Sequence, residues 1–217
     1  MAAPFGNTAR EPRMLASDLD GTLIPTELGD ERVDEVRRFR ELMARTALPL
    51  AYVTGRDRAL ALKGIQRVGL PLPDVLVCDV GTTVWLRQDS DGAQWLADED
   101  YARRMRDALG GVIRADIEAG IATLPGLQPQ EDPKQGDFKL SYYVDASQLD
   151  TCAARVQEFL RDHQAPYSII KSVDPFTEEG LIDVLPQRVS KAHALDWWMR
   201  HIHLLSGALV FAGDSGN

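Results

Sequence analysis

The order in which apolar runs alternate with amphipathic stretches limits this chain more than any other feature. Met14-Leu15-Ala16-Ser17 is short and mostly apolar, and it breaks into an acidic, glycine-containing turn, the pattern of a buried strand feeding a loop. Val33, Val36, Phe39 and Met43 then recur every three or four residues between Glu, Asp and Arg, which is the spacing of a helix with one apolar face. Leu48 to Val53 is a second apolar run, Asp57 to Val68 a second helical stretch, and Asp74 to Cys78 a third run. Strand, helix, strand, helix, strand predicts an α/β fold: a Rossmann-like parallel sheet core with helices on both faces. In such sheets the functional loops lie where the carboxyl ends of the strands open a crevice. Asp18 and Thr54 fall at two such ends.

Beyond Gly81 the rhythm changes. Thr82 to Leu86 reads as a strand, Tyr101 to Leu109 as a helix, Phe138 to Val144 as an alternating strand, Leu149 to His163 as an amphipathic helix and Pro166 to Ile170 as another strand. Gly120 to Asp137, rich in Pro, Gly, Gln and Asp, reads as a loop. Together these predict an inserted α+β domain with an antiparallel sheet. The α/β rhythm resumes at Leu181 to Leu185, with Ser190 as the N-cap of a helix to about His201 and Ala208 to Ala212 as a last strand, running into Gly213-Asp214-Ser215-Gly216-Asn217. The expected division is a discontinuous core over 1–83 and 173–217 and an inserted domain over 84–172. Met1 to Pro12 carries no apolar period and reads as a tail.

A net charge of −9 argues against a nucleic-acid surface, which needs clustered Lys and Arg. No run approaches the roughly 20 apolar residues of a membrane helix, and the N-terminus lacks the apolar core of a signal peptide, so no membrane partner and a cytoplasmic location are the expectations. Cys78 and Cys152 have no metal-ligand spacing and read as packing residues. On so acidic a chain, an anionic substrate requires local positive charge, from a divalent cation and one or two placed lysines.

The richest chemistry lies in Asp18-Leu19-Asp20-Gly21-Thr22. Two carboxylates one residue apart in a sharp turn can divide their roles, one as nucleophile and metal ligand, the other as proton donor. Magnesium suits them, because it prefers oxygen ligands and is usually held by one or two carboxylates with water and phosphate. A solvated acidic turn capping a helix is the plainer alternative. Asp214, in a second acidic loop after an apolar strand, completes a metal site if the two strand ends meet. Thr54 alone reads equally as a hydroxyl satisfying a turn, and Lys191 alone as a surface lysine.

Taken together, these segments resemble the haloacid-dehalogenase superfamily over nearly the whole chain. The resemblance implies a Mg2+-dependent phosphatase with Asp18 as nucleophile, Asp20 as general acid and base, and Thr54, with Gly55 and Arg56 beside it, at the transferring phosphoryl group. It implies Lys191 as the cation steadying nucleophile and phosphate, Asp214 as a metal ligand with Asp18 and Asp20, and Asn217 near the phosphate. Leu185-Pro186-Gln187-Arg188 before Lys191, Phe138-Lys139-Leu140-Ser141-Tyr142-Tyr143, and Gly81-Thr82-Thr83 are similar to the sucrose-phosphate phosphatase group. In that group the insertion is a C2-type cap that grips the sugar, so Gln130, Glu131 and Lys139 become candidates for sugar hydroxyls; solvated loop charge is the other reading of these three. The family's fourth motif continues with another Asp and a helix, whereas this sequence stops at Asn217; the resemblance then implies either a C-terminally truncated core or a metal site without its outer carboxylate. The expected substrate is a phosphorylated sugar: sucrose 6-phosphate, or a glucosylglycerol or mannosylglycerate phosphate. The alternatives are a non-catalytic sugar-phosphate-binding module, association with a glycosyltransferase, and a phosphotransferase of the same superfamily. Trp197, Trp198 and Met199 read as packing, and the spacing of His201 and His203 puts them on different helix faces.

Overall fold

The computed structural model describes residues 13–25, 31–174 and 177–213. Strand β1 (Met14–Asp18) is followed by α1 (Glu31–Thr46), β2 (Leu50–Val53), α2 (Arg58–Val68) and β3 (Val75–Cys78). These strands are parallel neighbours, and β10 (Leu209–Ala212) joins β1 on its other side, also parallel. Side chains alternate across a strand. Ala51 and Val53 of β2 therefore enter one apolar cluster, with Tyr101, Met105, Ala194, Leu195, Trp198 and Met199. Leu50 and Tyr52 enter the other, with Met43, Ala61 and Ile65. Both faces of the sheet are covered by helices, as a parallel sheet requires.

Two strands lie in sheets other than those their sequence suggests. The strand expected at Thr82 to Leu86, β4 (Thr83–Arg87), belongs to the first sheet: it returns antiparallel beside β3 and is followed at the edge by β5 (Trp95–Ala97). The reversal is a left-handed turn in which Asp79, Val80 and Gly81 have φ of 53°, 59° and 97°. Two of these residues are not glycine, which costs about 1–3 kcal/mol each and marks a backbone held in place by its surroundings. The strand expected to resume the core at Leu181, β9 (Gly180–Pro186), instead lies in the second sheet, whose order is β6 (Gln128–Pro129), β7 (Leu140–Val144), β9 and β8 (Tyr167–Val173). All its pairings are antiparallel. The physical reason is legible in β9 itself. Ile182 and Val184 are buried while Leu181 and Asp183 between them are partly exposed, the alternation of an antiparallel strand with one wet face.

The helices α4 (Arg114–Ile121) and α5 (Leu149–Asp162) complete the second layer, α3 (Glu99–Leu109) touches both β4 of the first sheet and β9 of the second, and α6 (Lys191–His201) returns the chain to the core. Leu140, Tyr142 and Val144 of β7 bury one face of the second sheet together with Val156 and Leu160 of α5. Three elements went unread in the sequence. The strands β5 and β6 are three and two residues long, and α4 has only Ile117 and Ile121 to show a helical period. Within the expected loop at Gly120 to Asp137, β6 is the only strand among the described residues. Trp198 and Met199 are buried as expected, and Trp197 packs its ring 5.0 Å from that of Tyr101. Cys78 and Cys152 are free and buried.

Candidate active site

Four segments converge at the carboxyl ends of β1 and β2. Asp18 is the last residue of β1 and only 6% exposed. Its Oδ1 accepts from the Leu19 amide at 2.8 Å, and its Oδ2 accepts from Lys191 Nζ at 2.9 Å, a pairing between residues 173 positions apart. Lys191 is the first residue of α6, whose cap forms as expected: the Ser190 hydroxyl accepts from the His193 amide at 3.1 Å. The positive end of a helix and an ammonium thus stand together at the nucleophile candidate, which favours an anion there.

Gly81 explains how Lys191 gets so close. A Cβ built at position 81 would stand 2.3 Å from the carbonyl carbon and oxygen of Ser190 and 2.6 Å from the Lys191 nitrogen. The Tyr101 hydroxyl holds the same turn by donating to the Gly81 carbonyl at 2.7 Å. Only a residue without a side chain lets the two backbones approach so closely.

Asp20 is clamped from the second strand end. Arg56 Nε donates to both its oxygens, at 3.1 and 3.0 Å, and Nη2 donates to Oδ1 as well. The Thr54 hydroxyl donates to Asp20 Oδ2 at 3.4 Å and accepts from the Arg56 amide at 3.1 Å. Charge-assisted bonds of this forked kind are among the strongest and most directional available to side chains. Gly64, in the interior of α2, makes room for this clamp: a Cβ there would lie 3.0 Å from Arg56 Nη1 and 2.7 Å from Ile24 Cδ1.

The second sheet faces these groups across a cleft of about 510 Å³, bordered on the core side by Asp18, Asp20, Gly55, Arg56 and Lys191. Gln130 stands on the opposite wall as the sequence suggests, but Glu131 does not border the cleft; it is exposed and accepts from the Tyr143 hydroxyl at 2.9 Å. Lys139 borders the cleft and is 3% exposed, but its ammonium is turned to the core: it donates to the Gly55 carbonyl at 3.1 Å and lies 3.4 Å from Asp79 Oδ1. It therefore ties the second sheet to the strained turn and to the loop carrying Thr54 and Arg56. Burial pushes the Asp79 carboxyl above its usual range, with the Lys139 charge and the Thr83 hydroxyl opposing the shift.

Sequence reasoning missed three residues of this region. Lys134 lies on the cleft wall with its ammonium on the Tyr143 hydroxyl, Asp79 anchors Lys139, and Asp183 sits on the cleft-facing side of β9. The signal for Asp183 was its phase, a polar residue alternating with buried Ile182 and Val184. Asp214 and Asn217 lie outside the described residues, and among the described residues no group of three metal-binding side chains forms. The donor chemistry at hand nonetheless fits Mg2+: two carboxylates, Asp18 and Asp20, reach one cleft floor, and this ion takes hard oxygen donors with one or two carboxylates.

A parallel-sheet core with a paired Asp at the end of its first strand and an antiparallel domain facing that strand end defines the haloacid-dehalogenase class of hydrolase folds. Within that class, the chain belongs to the sucrose-6F-phosphate phosphohydrolase family, whose model matches residues 11–217. A HAD-like hydrolase of Nitrosococcus oceani is 37% identical over 206 residues, covering 94% of this chain and 54% of that protein. The glucosylglycerol-phosphate synthase of Pseudomonas anguilliseptica is 37% identical over 204 residues, covering 94% of this chain and 24% of the synthase. The chain thus spans about half or less of the length of these relatives. In fold it is similar to the sucrose-phosphatase of Synechocystis sp. PCC6803, solved with sucrose and phosphate, with a TM-score of 0.72, 23% identity, and 95% of this chain and 77% of that one covered. No helix among the described residues is long and apolar enough to cross a membrane.

Proposed function

We propose that this chain hydrolyses the phosphomonoester of a sugar or glycosyl compound through an aspartyl-phosphate intermediate on Asp18. The observation that carries the reading is the Asp18–Lys191 pair, 2.9 Å apart and mostly shielded from solvent at the cleft floor. A carboxylate anchored by one ammonium and one amide is held in one orientation, which is what a nucleophile for phosphorus needs. One Asp18 oxygen attacks phosphorus, the bond from phosphorus to the sugar oxygen breaks, and that oxygen takes a proton from Asp20. Asp20 then removes a proton from water, which attacks the phosphoryl group, breaks the acyl phosphate bond and restores Asp18. To trade protons, Asp20 must give up part of its clamp by Arg56. Phosphoryl transfer is catalysed mainly by positioning and by positive potential, here from Lys191, Arg56 and the amino end of α6.

Mg2+ would be held by Asp18, Asp20 and Asp214, and when bound it neutralises charge on the phosphoryl oxygens. The sugar assignment is supported by the family's name, by the polar wall of the facing sheet and by the glucosylglycerol-phosphate synthase among the relatives. That relative also supports action beside a glycosyltransferase, since a segment like this chain makes up 24% of the synthase. The test is phosphate release from a panel of sugar phosphates with Mg2+. Asp18→Asn is expected to lower turnover by at least about 10³-fold, as losses of covalent nucleophiles do. Turnover that survives the substitution removes Asp18 from the role.

A further inference from the structure

Both charged pairs of the cleft floor rest on the left-handed turn at Asp79, Val80 and Gly81. On one side, the Asp79 amide donates to the Arg56 carbonyl at 2.9 Å and the Val80 amide to the Thr54 carbonyl at 3.1 Å, which fixes the loop whose side chains hold Asp20. On the other side, Gly81 lies against the Ser190 backbone, where α6 begins with Lys191. The first contact is hydrogen-bonded, whereas the second is a close approach of two backbones and needs something else to hold it. Tyr101 reaches both members of that second contact. Its hydroxyl donates to the Gly81 carbonyl at 2.7 Å, and its ring lies 5.0 Å from that of Trp197 on α6, tilted by 57°. Tyr101 is fully buried and its own place is fixed: its amide donates to the capping carboxylate of Asp98 at 2.9 Å, and the Asp98 amide donates to the Val84 carbonyl of β4 at 2.8 Å. Burial pushes the phenol well above its ordinary range, so the hydroxyl keeps its proton for the Gly81 carbonyl. None of the steps at Asp18 and Asp20 touches this residue.

We infer that Tyr101 is a positioning residue that acts through Lys191: it clips α6 to the turn and so sets where the ammonium stands against Asp18. Its effect on turnover rests on the proposed phosphatase reading, whereas its effect on the Lys191–Asp18 pair does not. Trp197 stands six positions beyond Lys191 on the same helix, about 9 Å along the axis at about 1.5 Å per residue. A helix held at its first turn alone can pivot about that point; held again more than a turn further on, it cannot. Lysine carries its charge on a flexible four-carbon stem, so the place of the ammonium depends on a backbone that keeps still. Asp18 takes one ammonium and one amide, and a shift of α6 lengthens the 2.9 Å pair directly. Such shifts are expensive in rate, since a misplacement of about 1 Å caused by a remote group can cost about 10²-fold. The plainer alternative is that Tyr101 only fills the core between α3 and α6. That role lowers stability when the residue is changed but has no particular link to Lys191.

The test is a double-mutant cycle on the full chain with Mg2+, read as phosphate release from sucrose 6-phosphate. Tyr101→Phe keeps the ring against Trp197 and removes the donor to Gly81. It should lower kcat about five- to tenfold and leave KM within about twofold. In a Lys191→Ala background the same substitution should change kcat by less than about twofold, because the group it positions is gone. Equal losses in the two backgrounds overturn the inference, as does a wild-type kcat in Tyr101→Phe. Val156→Ala, which opens a cavity at a buried site in the second layer, lowers the thermal midpoint and should leave kcat unchanged. A matching loss of kcat there would show that destabilisation alone moves the rate, and it counts against Tyr101. A second readout needs no turnover: heteronuclear NMR of the Lys191 ammonium, assigned by loss of its signal in Lys191→Arg. Its protons should exchange with water about threefold faster or more in Tyr101→Phe, because the bond to Asp18 opens more often. Exchange at the wild-type rate, or a wild type whose Lys191 ammonium gives no protected signal, overturns the inference. Faster exchange in a protein that releases no phosphate supports the role of Tyr101 and sinks only the phosphatase reading.

Discussion

The two walls of the cleft are built on opposite principles. On the core side, Asp18, Asp20 and Arg56 sit at or just past the ends of parallel strands, with Thr54 fully buried behind Asp20. Lys191 joins them from the first turn of α6. On the facing side, Ser141, Asp183 and Ile170 lie within antiparallel strands, and their direction is set by the alternation of the pleat. Strand-end loops can gather charges of both signs within hydrogen-bond distance, which suits bond making and breaking. A sheet face presents a flat row of groups in fixed register, which suits the reading of a ring of hydroxyls. The two walls thus differ in architecture, with Lys139 as the buried tie between them.

If this division holds, substitutions on the two walls should separate in kinetics. Lys191→Ala removes the only cation bonded to Asp18 among the described residues and should lower kcat by about 10²–10³-fold with less effect on KM, as removal of a charge-stabilising donor typically does. A loss confined to KM would place Lys191 with the selecting wall instead. Gly81→Ala forces a Cβ to within 2.3 Å of the Ser190 backbone at a φ of +97°. It should cost about 2–4 kcal/mol, read as a lower denaturation midpoint, and should lower kcat because the start of α6 carries Lys191 with it. A variant of wild-type stability and rate would show that the close approach is not needed. The smallest effect is in pH dependence. The native Asp183 carboxyl lies above its ordinary value of 3.8, so the native state binds more protons than the unfolded one in that window. Its contribution to stability therefore falls as pH rises through the native pKa. Asp183→Asn should accordingly gain in thermal midpoint relative to wild type on going from pH 4 to pH 7, whereas a difference that shrinks over that range would reverse the assigned shift.

Family resemblance alone pointed to Arg56 and Lys191, whereas the residues taken on their own were enough for the α/β core, the helix cap at Ser190 and the candidates Asp18, Asp20 and Thr54. Each of these depends on local signals: apolar periods, a capping hydroxyl, and acidic or hydroxylated residues just past an apolar run. Tertiary structure alone decided which sheet each later strand would join, because β4 and β9 read as strands either way and only a left-handed turn and a pairing partner assign them. It also decided that Lys139 spends its ammonium on the core, that Glu131 turns away from the cleft, and that Asp183 faces into it. The physical reason is range. Periodicity reports which face of an element is apolar, but the partner of a buried charge is chosen by residues more than 80 positions away, as the bond from Lys139 to Gly55 and that from Lys191 to Asp18 illustrate.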